Sequence, residues 1–175
     1  MNMSALRTVA ELMEIAARTA PKTKGEDFVV TKIVEGEALQ SLAQGMIAHA
    51  ERNGETDLRA GFLRDGGNTQ NSEVVILIGI KDATPAGLNC GACGYEKCMK
   101  INTLDIEFKG PQCAFRFLDM GIALGSAVKT ASIMNVDNRI MYRIGTIARA
   151  MGMIEADFVM GIPLSVTGKS IYFDR

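Results

Sequence analysis

Apolar residues change their spacing several times along this chain, and each spacing predicts a different element. Leu6, Val9, Met13, Ala16 and Ala20 recur every three or four positions, the period of one helix face, and Pro21 with Gly25 ends that helix. Phe28 to Val34 reads as a short strand. A second helix follows from about Glu37 to Arg52, stopped by Asn53-Gly54. Leu58 to Asn71 is glycine-rich and shows no clear period. Val74 to Ile78 is an unbroken apolar run with β-branched members, the pattern of a central strand covered on both faces.

The second half continues the alternation. Cys113, just after Gly110-Pro111, opens a long apolar helix through Phe117, Met120, Ala123, Leu124, Ala127 and Ala131. Another helix carries Ile140, Ile144, Ile147 and Met151 on one face, with Arg139, Arg143 and Arg149 off it. Phe158 to Pro163 reads as a strand closed by proline, and Ile171-Tyr172-Phe173 as a last short strand. No internal repeat or low-complexity linker interrupts residues 1–175, so the pattern predicts one α+β domain.

The chemistry is concentrated in the cysteines. All four, Cys90, Cys93, Cys98 and Cys113, fall within 24 residues in the pattern C-x2-C-x4-C-x14-C. Four thiolates on a short glycine-flanked loop suit an iron-sulfur cluster, which takes one thiolate per iron and accepts backbone N–H donors at its sulfides. Gly91 and Gly94 each follow a candidate ligand, where the lack of a Cβ lets the backbone turn and approach closely. Cys113 at a helix N-terminus meets the positive end of the dipole, which favours an anionic ligand. Lys97, Lys100 and Lys109 stand near the ligands and either offset the cluster's negative charge or form an ordinary solvated face. Zinc also takes four thiolates and stays an alternative, although the C-x4-C step and the glycines favour the bulkier cluster. Disulfides fit poorly, since no signal-peptide pattern opens the sequence and closely spaced cysteines pair awkwardly. These features predict a reducing, cytoplasmic setting. The two-cluster ferredoxin run C-x2-C-x2-C-x3-C-P is absent, so one cluster is the ceiling.

Charge narrows the partners. With 19 basic and 20 acidic residues and 47% hydrophobic content, the chain has the means for a proper core and no electrostatic pull toward nucleic acid. Its most apolar stretch, Met120 to Val128, is far short of the roughly 20 residues a bilayer crossing needs. The lone His49, among Met46, Ile47 and Ala50, reads as structural. Gly66-Gly67-Asn68 lacks the lysine of a phosphate loop, and Gly121-x3-Gly125 reads as close helix packing. Asp119, inside the apolar helix, needs a donor, and a salt bridge or cap would supply one.

Two resemblances follow from these residues. The Cys90–Cys113 segment, C-G-x-C-G-x3-C and a later cysteine, resembles the four-iron module of Rnf-type electron-transport subunits and corrinoid iron-sulfur proteins. The longer order of helix, Ala-Pro turn, strand, helix, apolar strand and long helix with Leu118-Asp119-Met120-Gly121-Ile122-Ala123 resembles the nitroreductase fold, as does the closing Met160-Gly161-Ile162-Pro163. Together they resemble the bacterial and archaeal proteins described as containing a ferredoxin domain. The resemblance implies a nitroreductase-like α+β scaffold, a mixed or antiparallel sheet packed with long helices, with residues 88–113 as an inserted cluster-binding segment. It also implies a homodimer built on long helices.

The nitroreductase likeness further implies flavin mononucleotide (FMN) at the dimer interface. That family grips the flavin phosphate with an Arg-Ser-x-Arg type segment ahead of the first core helix, where this sequence has Met1-Asn2-Met3-Ser4. Where it offers Ser and Asn beside the ring, this sequence has Ala20-Pro21-Lys22-Thr23-Lys24-Gly25. Arg18, Lys22 and Lys24 are the candidates to hold a phosphate, or else form an exposed basic turn. The expectation is therefore one [4Fe-4S] cluster per chain and one-electron exchange with a redox partner protein. The alternatives are an FMN-dependent reductase using the cluster as a relay, and a structural zinc or iron site in a binding protein.

Overall fold

The computed structural model describes residues 3–52, 57–99 and 103–173. Five helices are present there: α1 Met3–Thr19, α2 Gly36–Arg52, α3 Asp57–Gln70, α4 Ala114–Ile133 and α5 Tyr142–Ala150. The strands are β1 Val29–Glu35, β2 Val74–Ile80, β3 Leu104–Asp105, β4 Lys109–Gly110, β5 Asp137–Asn138 and β6 Phe158–Ser165.

β2 is the centre of the architecture, and all seven of its residues are buried. It pairs antiparallel with β1 on one side and β6 on the other, in a four-stranded sheet of order β1-β2-β6-β5. Successive strand side chains point to opposite faces, so an unbroken apolar run requires two covers. Val74, Ile76, Ile78 and Ile80 join the core made with α1 and α4. Val75 and Leu77 join the core made with α2, α3 and α5. The sheet is thus the middle of three layers. α5 lies so close to β6 that a Cβ at Gly145 would fall 1.9 Å from the Val159 carbonyl oxygen.

α1 ends as its Pro21 and Gly25 predict. Its last carbonyls are closed by Lys22, whose Nζ donates to Ala17, Arg18 and Ala20 at 3.2, 2.7 and 3.0 Å. A short 3₁₀ turn, Thr23–Gly25, then leads to β1.

Four expectations change. The stretch without a period is α3, and its inward face explains the silence: Asp65 and Thr69 are buried there beside Phe62. Arg143 and Arg64 reach Asp65 at 2.8 and 2.7 Å, and Thr69 donates to the Asp65 carbonyl. A polar inner face has no hydrophobic period to find. Pro163 does not close β6, which continues to Ser165. Gly161 N–H points to Met141, so the nitrogen two residues later points the same way, into the gap at Arg139–Ile140 where no ladder runs. Ile171–Phe173 is not a strand. It is a bent tail fastened by buried Tyr172, whose hydroxyl bonds Ser72 at 2.8 Å while Arg139 holds its carbonyl.

The helix expected from Ile140 starts at Tyr142 and leaves Ile140 exposed. His49 sits against Phe62 with ring centroids 4.6 Å apart. The Asn53-Gly54 stop lies outside the described residues. Among the described residues no helix is long and apolar enough to cross a membrane.

Candidate functional site

The cysteine segment leaves the sheet at the end of β2 and returns to the long helix α4. Both arms are fastened. On the incoming arm, Asp82 N–H donates to buried Asp157 at 2.8 Å. On the outgoing arm, β3 and β4 form a short antiparallel ribbon, and Lys109 N–H donates to the Asp157 carbonyl at 2.9 Å while its ammonium stands 3.4 Å from the carboxylate. Arg149 adds bonds to Asp105, the Glu107 carbonyl and the Ala156 carbonyl. The ribbon has no counterpart in the sequence reading. Two-residue strands carry too little pattern to show.

Between these arms the chain makes a series of left-handed turns. Asn89, Gly91 and Gly94 take φ of +47°, +72° and +86°. Nothing lies within 4 Å of where a Cβ would stand on Gly91 or Gly94, so what requires glycine there is the backbone angle. The Gly94 N–H closes the turn on the Gly91 carbonyl at 2.9 Å. Asn89 and Cys98 join across the loop: Asn89 N–H donates to Cys98 Sγ at 3.2 Å, and Cys98 N–H to Asn89 Oδ1 at 2.8 Å.

Cys113 is the N-cap residue of α4, as expected, and its carbonyl accepts from Arg116 N–H at 2.9 Å and Phe117 N–H at 3.2 Å. Its side chain caps nothing, which leaves the thiol available. Cys93, Cys98 and Cys113 line one small cavity together with Pro85, Tyr95, Met99, Pro111 and Gln112. Residues far apart in the pattern therefore share one space. Cys90 is exposed and does not border that cavity. Among the described residues no three Cys, His, Asp or Glu side chains converge tightly enough to hold a single metal ion. Thiols around a common space, with an N–H donor already on one sulfur, are the type of donor an iron-sulfur cluster takes, one thiolate to each iron.

The neighbouring cations take different places. Lys109 is paired with Asp157, Lys97 is exposed, and Lys100 lies outside the described residues. Of the phosphate candidates, Lys22 is 5% exposed at its side chain and closes α1. Arg18 bonds the Val29 carbonyl and pairs with Asp27 at 3.1 Å. Lys24 is exposed at φ +61°, with its ammonium close to Gly87 on the cysteine segment.

Asp119 has the donors its burial demands. Thr23 gives it an N–H and a hydroxyl at 2.7 and 2.8 Å, and Arg116 a guanidinium at 3.1 Å. Arg116 itself, 1% exposed, is the residue that sequence reasoning missed. An arginine near a helix start reads as surface, and nothing in one sequence reveals which acceptors lie in wait.

Relatives place this architecture. A protein of Archaeoglobus fulgidus, described as uncharacterized, is 47% identical over 173 residues, covering 97% of this chain and 91% of the relative. Residues 109–175 match the family described as uncharacterized protein containing a ferredoxin domain. The chain belongs to that family. The stretch matched to the ferredoxin-domain family contains Cys113 and none of the other three cysteines.

Solved structures extend the likeness to the fold. The FMN-dependent nitroreductase NfnB of Mycobacterium smegmatis, in complex with NADPH, superposes with a TM-score of 0.60 at 15% identity, covering 98% of this chain and 82% of that one. A nitroreductase of Desulfitobacterium hafniense with bound FMN gives 0.57 at 15% identity, covering 97% and 80%. A nitroreductase family protein of Clostridium novyi gives 0.56 at 17%, covering 94% and 78%. This member of the ferredoxin-domain family therefore has the nitroreductase fold.

Proposed function

We propose that the chain carries one [4Fe-4S] cluster on Cys90, Cys93, Cys98 and Cys113 and exchanges single electrons with a redox partner protein. The observation that supports this most is the common cavity bordered by Cys93, Cys98 and Cys113. A cluster bound there supplies a one-electron couple whose potential depends on net charge, solvent access and hydrogen bonds to sulfur. The protein's own part is to hold the ligands and shape that environment. Asn89 N–H is the donor to the Cys98 sulfur, and the left-handed turns at Gly91 and Gly94 bring the loop back on itself. Residues 88–113 act as an inserted segment of a single domain, 1–175.

The site suits exchange with a protein. Gly91, Gly94 and Cys90 are exposed, and so are the apolar side chains of Leu88, Tyr95 and Met99 around them. A second copy fits the outer face of α4, where Leu118 and Ile122 are exposed and nothing stands within 4 Å of Gly121 or Gly125. Among the described residues nothing packs within 4 Å of a Cβ at either glycine, so the close packing expected from their spacing is assigned to a homodimer. Four free thiols suit a reducing compartment, and the reading assigns the protein to the cytoplasm.

The fold supports a second reading, an FMN-dependent reductase in which the cluster relays electrons. With Lys22 closing α1, a flavin phosphate would fall to Lys24 and the outer side of Arg18. Zinc held by the same cysteines in a binding protein is the third reading. Purification without oxygen separates the three. The first expects a brown protein with a broad visible shoulder and no flavin released on denaturation. Resolved yellow flavin bands favour the second, and a colourless protein containing zinc favours the third.

A further inference from the structure

We infer that Arg116 is a positioning residue for the cysteine segment: it clamps the arm before the ligands to the helix that carries Cys113, and retention of the metal group depends on that clamp. The inference rests on the iron-sulfur reading above and concerns how this chain holds such a group.

Arg116 occupies the first turn of α4, and its N–H donates to the Cys113 carbonyl at 2.9 Å. Its side chain runs back toward the helix start, as helical side chains do. Nε donates to the Thr84 carbonyl at 2.8 Å. Thr84 directly precedes Pro85, a wall of the cavity that Cys93, Cys98 and Cys113 share. One side chain thus ties the two ends of a loop whose sulfurs must meet. Asp157 joins the same arms farther out, at Asp82 and Lys109, which leaves Arg116 the clamp next to the cavity.

The remaining donors fix the guanidinium in place. Nη1 reaches the Thr23 carbonyl and Asp119 at 3.1 Å each, Nη2 bonds Glu26, and the group lies over the Phe28 ring at 4.7 Å. Two carboxylates beside one guanidinium mean that Arg116 has its charge compensated locally. Its influence on the cysteines is therefore geometric. Lysine cannot replace it, because a single ammonium has no planar fork to hold Thr84, Thr23, Asp119 and Glu26 together.

The test compares Arg116→Lys and Arg116→Ala with a control at a buried ion pair on the opposite face of the sheet. Asp65→Asn weakens a buried carboxylate held by Arg143 and Arg64 on the side of the sheet covered by α2, α3 and α5. Each protein is reconstituted with iron and sulfide under anaerobic conditions, and iron release to a strong chelator is followed with time. Both Arg116 variants are expected to lose iron about tenfold faster than wild type or more, in the range found for residues that orient metal ligands, and to show altered EPR lines when reduced. Asp65→Asn should release iron at the wild-type rate despite a lower melting temperature.

Iron release by Arg116→Lys at the wild-type rate overturns the proposal, as does equally fast release by Asp65→Asn. If Arg116→Ala is not recovered folded, Arg116→Lys decides alone. Amide hydrogen exchange of metal-free protein gives a second readout. Thr84, Ala86 and residues 113–117 should exchange faster in Arg116→Lys, and unchanged protection there counts against the clamp. A wild type that takes up no iron and sulfide defeats the iron-sulfur reading itself, a failure visible before any variant is made.

Discussion

Asn89 and Cys98 exchange a pair of hydrogen bonds, one from Asn89 N–H to the thiol sulfur at 3.2 Å and one from Cys98 N–H to the Asn89 carboxamide oxygen at 2.8 Å. Asn89 holds φ +47°, a conformation that asparagine tolerates and alanine resists at a cost of about 1–2 kcal/mol. Asn89→Ala should therefore lose both the acceptor and the turn, whereas Asn89→Gly loses the acceptor alone. Iron release to a chelator should be fastest in the alanine variant, intermediate in the glycine variant and slowest in wild type. Equal rates would mean that this pair plays no part in holding Cys98.

Asp119 is 4% exposed and holds three donors, from Thr23 and Arg116. Asp119→Ala leaves Arg116 without its buried partner, and breaking such a pair costs about 3–5 kcal/mol. The midpoint of urea denaturation should fall accordingly with little change in slope. Asp119→Asn, which keeps an acceptor for Thr23, should lose less.

Gly145 shows steric contact outweighing propensity. Alanine is the better helix former by about 1 kcal/mol, yet its Cβ would stand 1.9 Å from a main-chain oxygen of Val159 that has no rotamer to escape into. Overpacking of this kind costs about 1–3 kcal/mol or more. Gly145→Ala should lower the melting temperature. Gly67→Ala, in a helix position with nothing within 4 Å, should leave it unchanged or raise it.

Tyr172 makes stability depend on alkaline pH. Burial pushes its phenol well above the ordinary tyrosine value, despite the hydrogen bond to Ser72. The unfolded chain then releases the phenolic proton at about pH 10 while the folded chain retains it. The unfolded state binds fewer protons there, so stability is fully present below about pH 10 and falls as pH rises beyond it. Tyr172→Phe loses a hydrogen bond worth about 1 kcal/mol at neutral pH but has no phenol to ionise. The stability gap between wild type and variant should close as pH passes about 10 in denaturation series. A constant gap would place the phenol in contact with solvent.

Where physics acts locally, these features were legible in the sequence. The run Val74 to Ile78 could only be a doubly covered strand, and Pro21 with Gly25 ended α1 where proline and glycine end helices. Cys113 as the start of α4 followed from Gly110-Pro111 and the apolar period behind it. What stayed hidden was set by distant partners. α3 buries Asp65 because Arg143, on another helix, reaches it. Arg116 is buried because Thr23 and Glu26 of one turn and Thr84 of another converge on it. Lys22 looked like a phosphate ligand by its type and position, but three carbonyls at the end of α1 lie nearer. The cysteine pattern gave its candidate ligands by number, while the cavity that gathers three of them lies beside bonds at Asp157 and Arg116 that no spacing encodes.

Iron and acid-labile sulfide counted per chain, on protein prepared and kept without oxygen, test the central claim most directly. The account predicts about four of each, with a one-electron EPR signal on reduction that Cys113→Ser abolishes. About one zinc per chain without sulfide, or a full iron and sulfide complement surviving in Cys113→Ser, would contradict it.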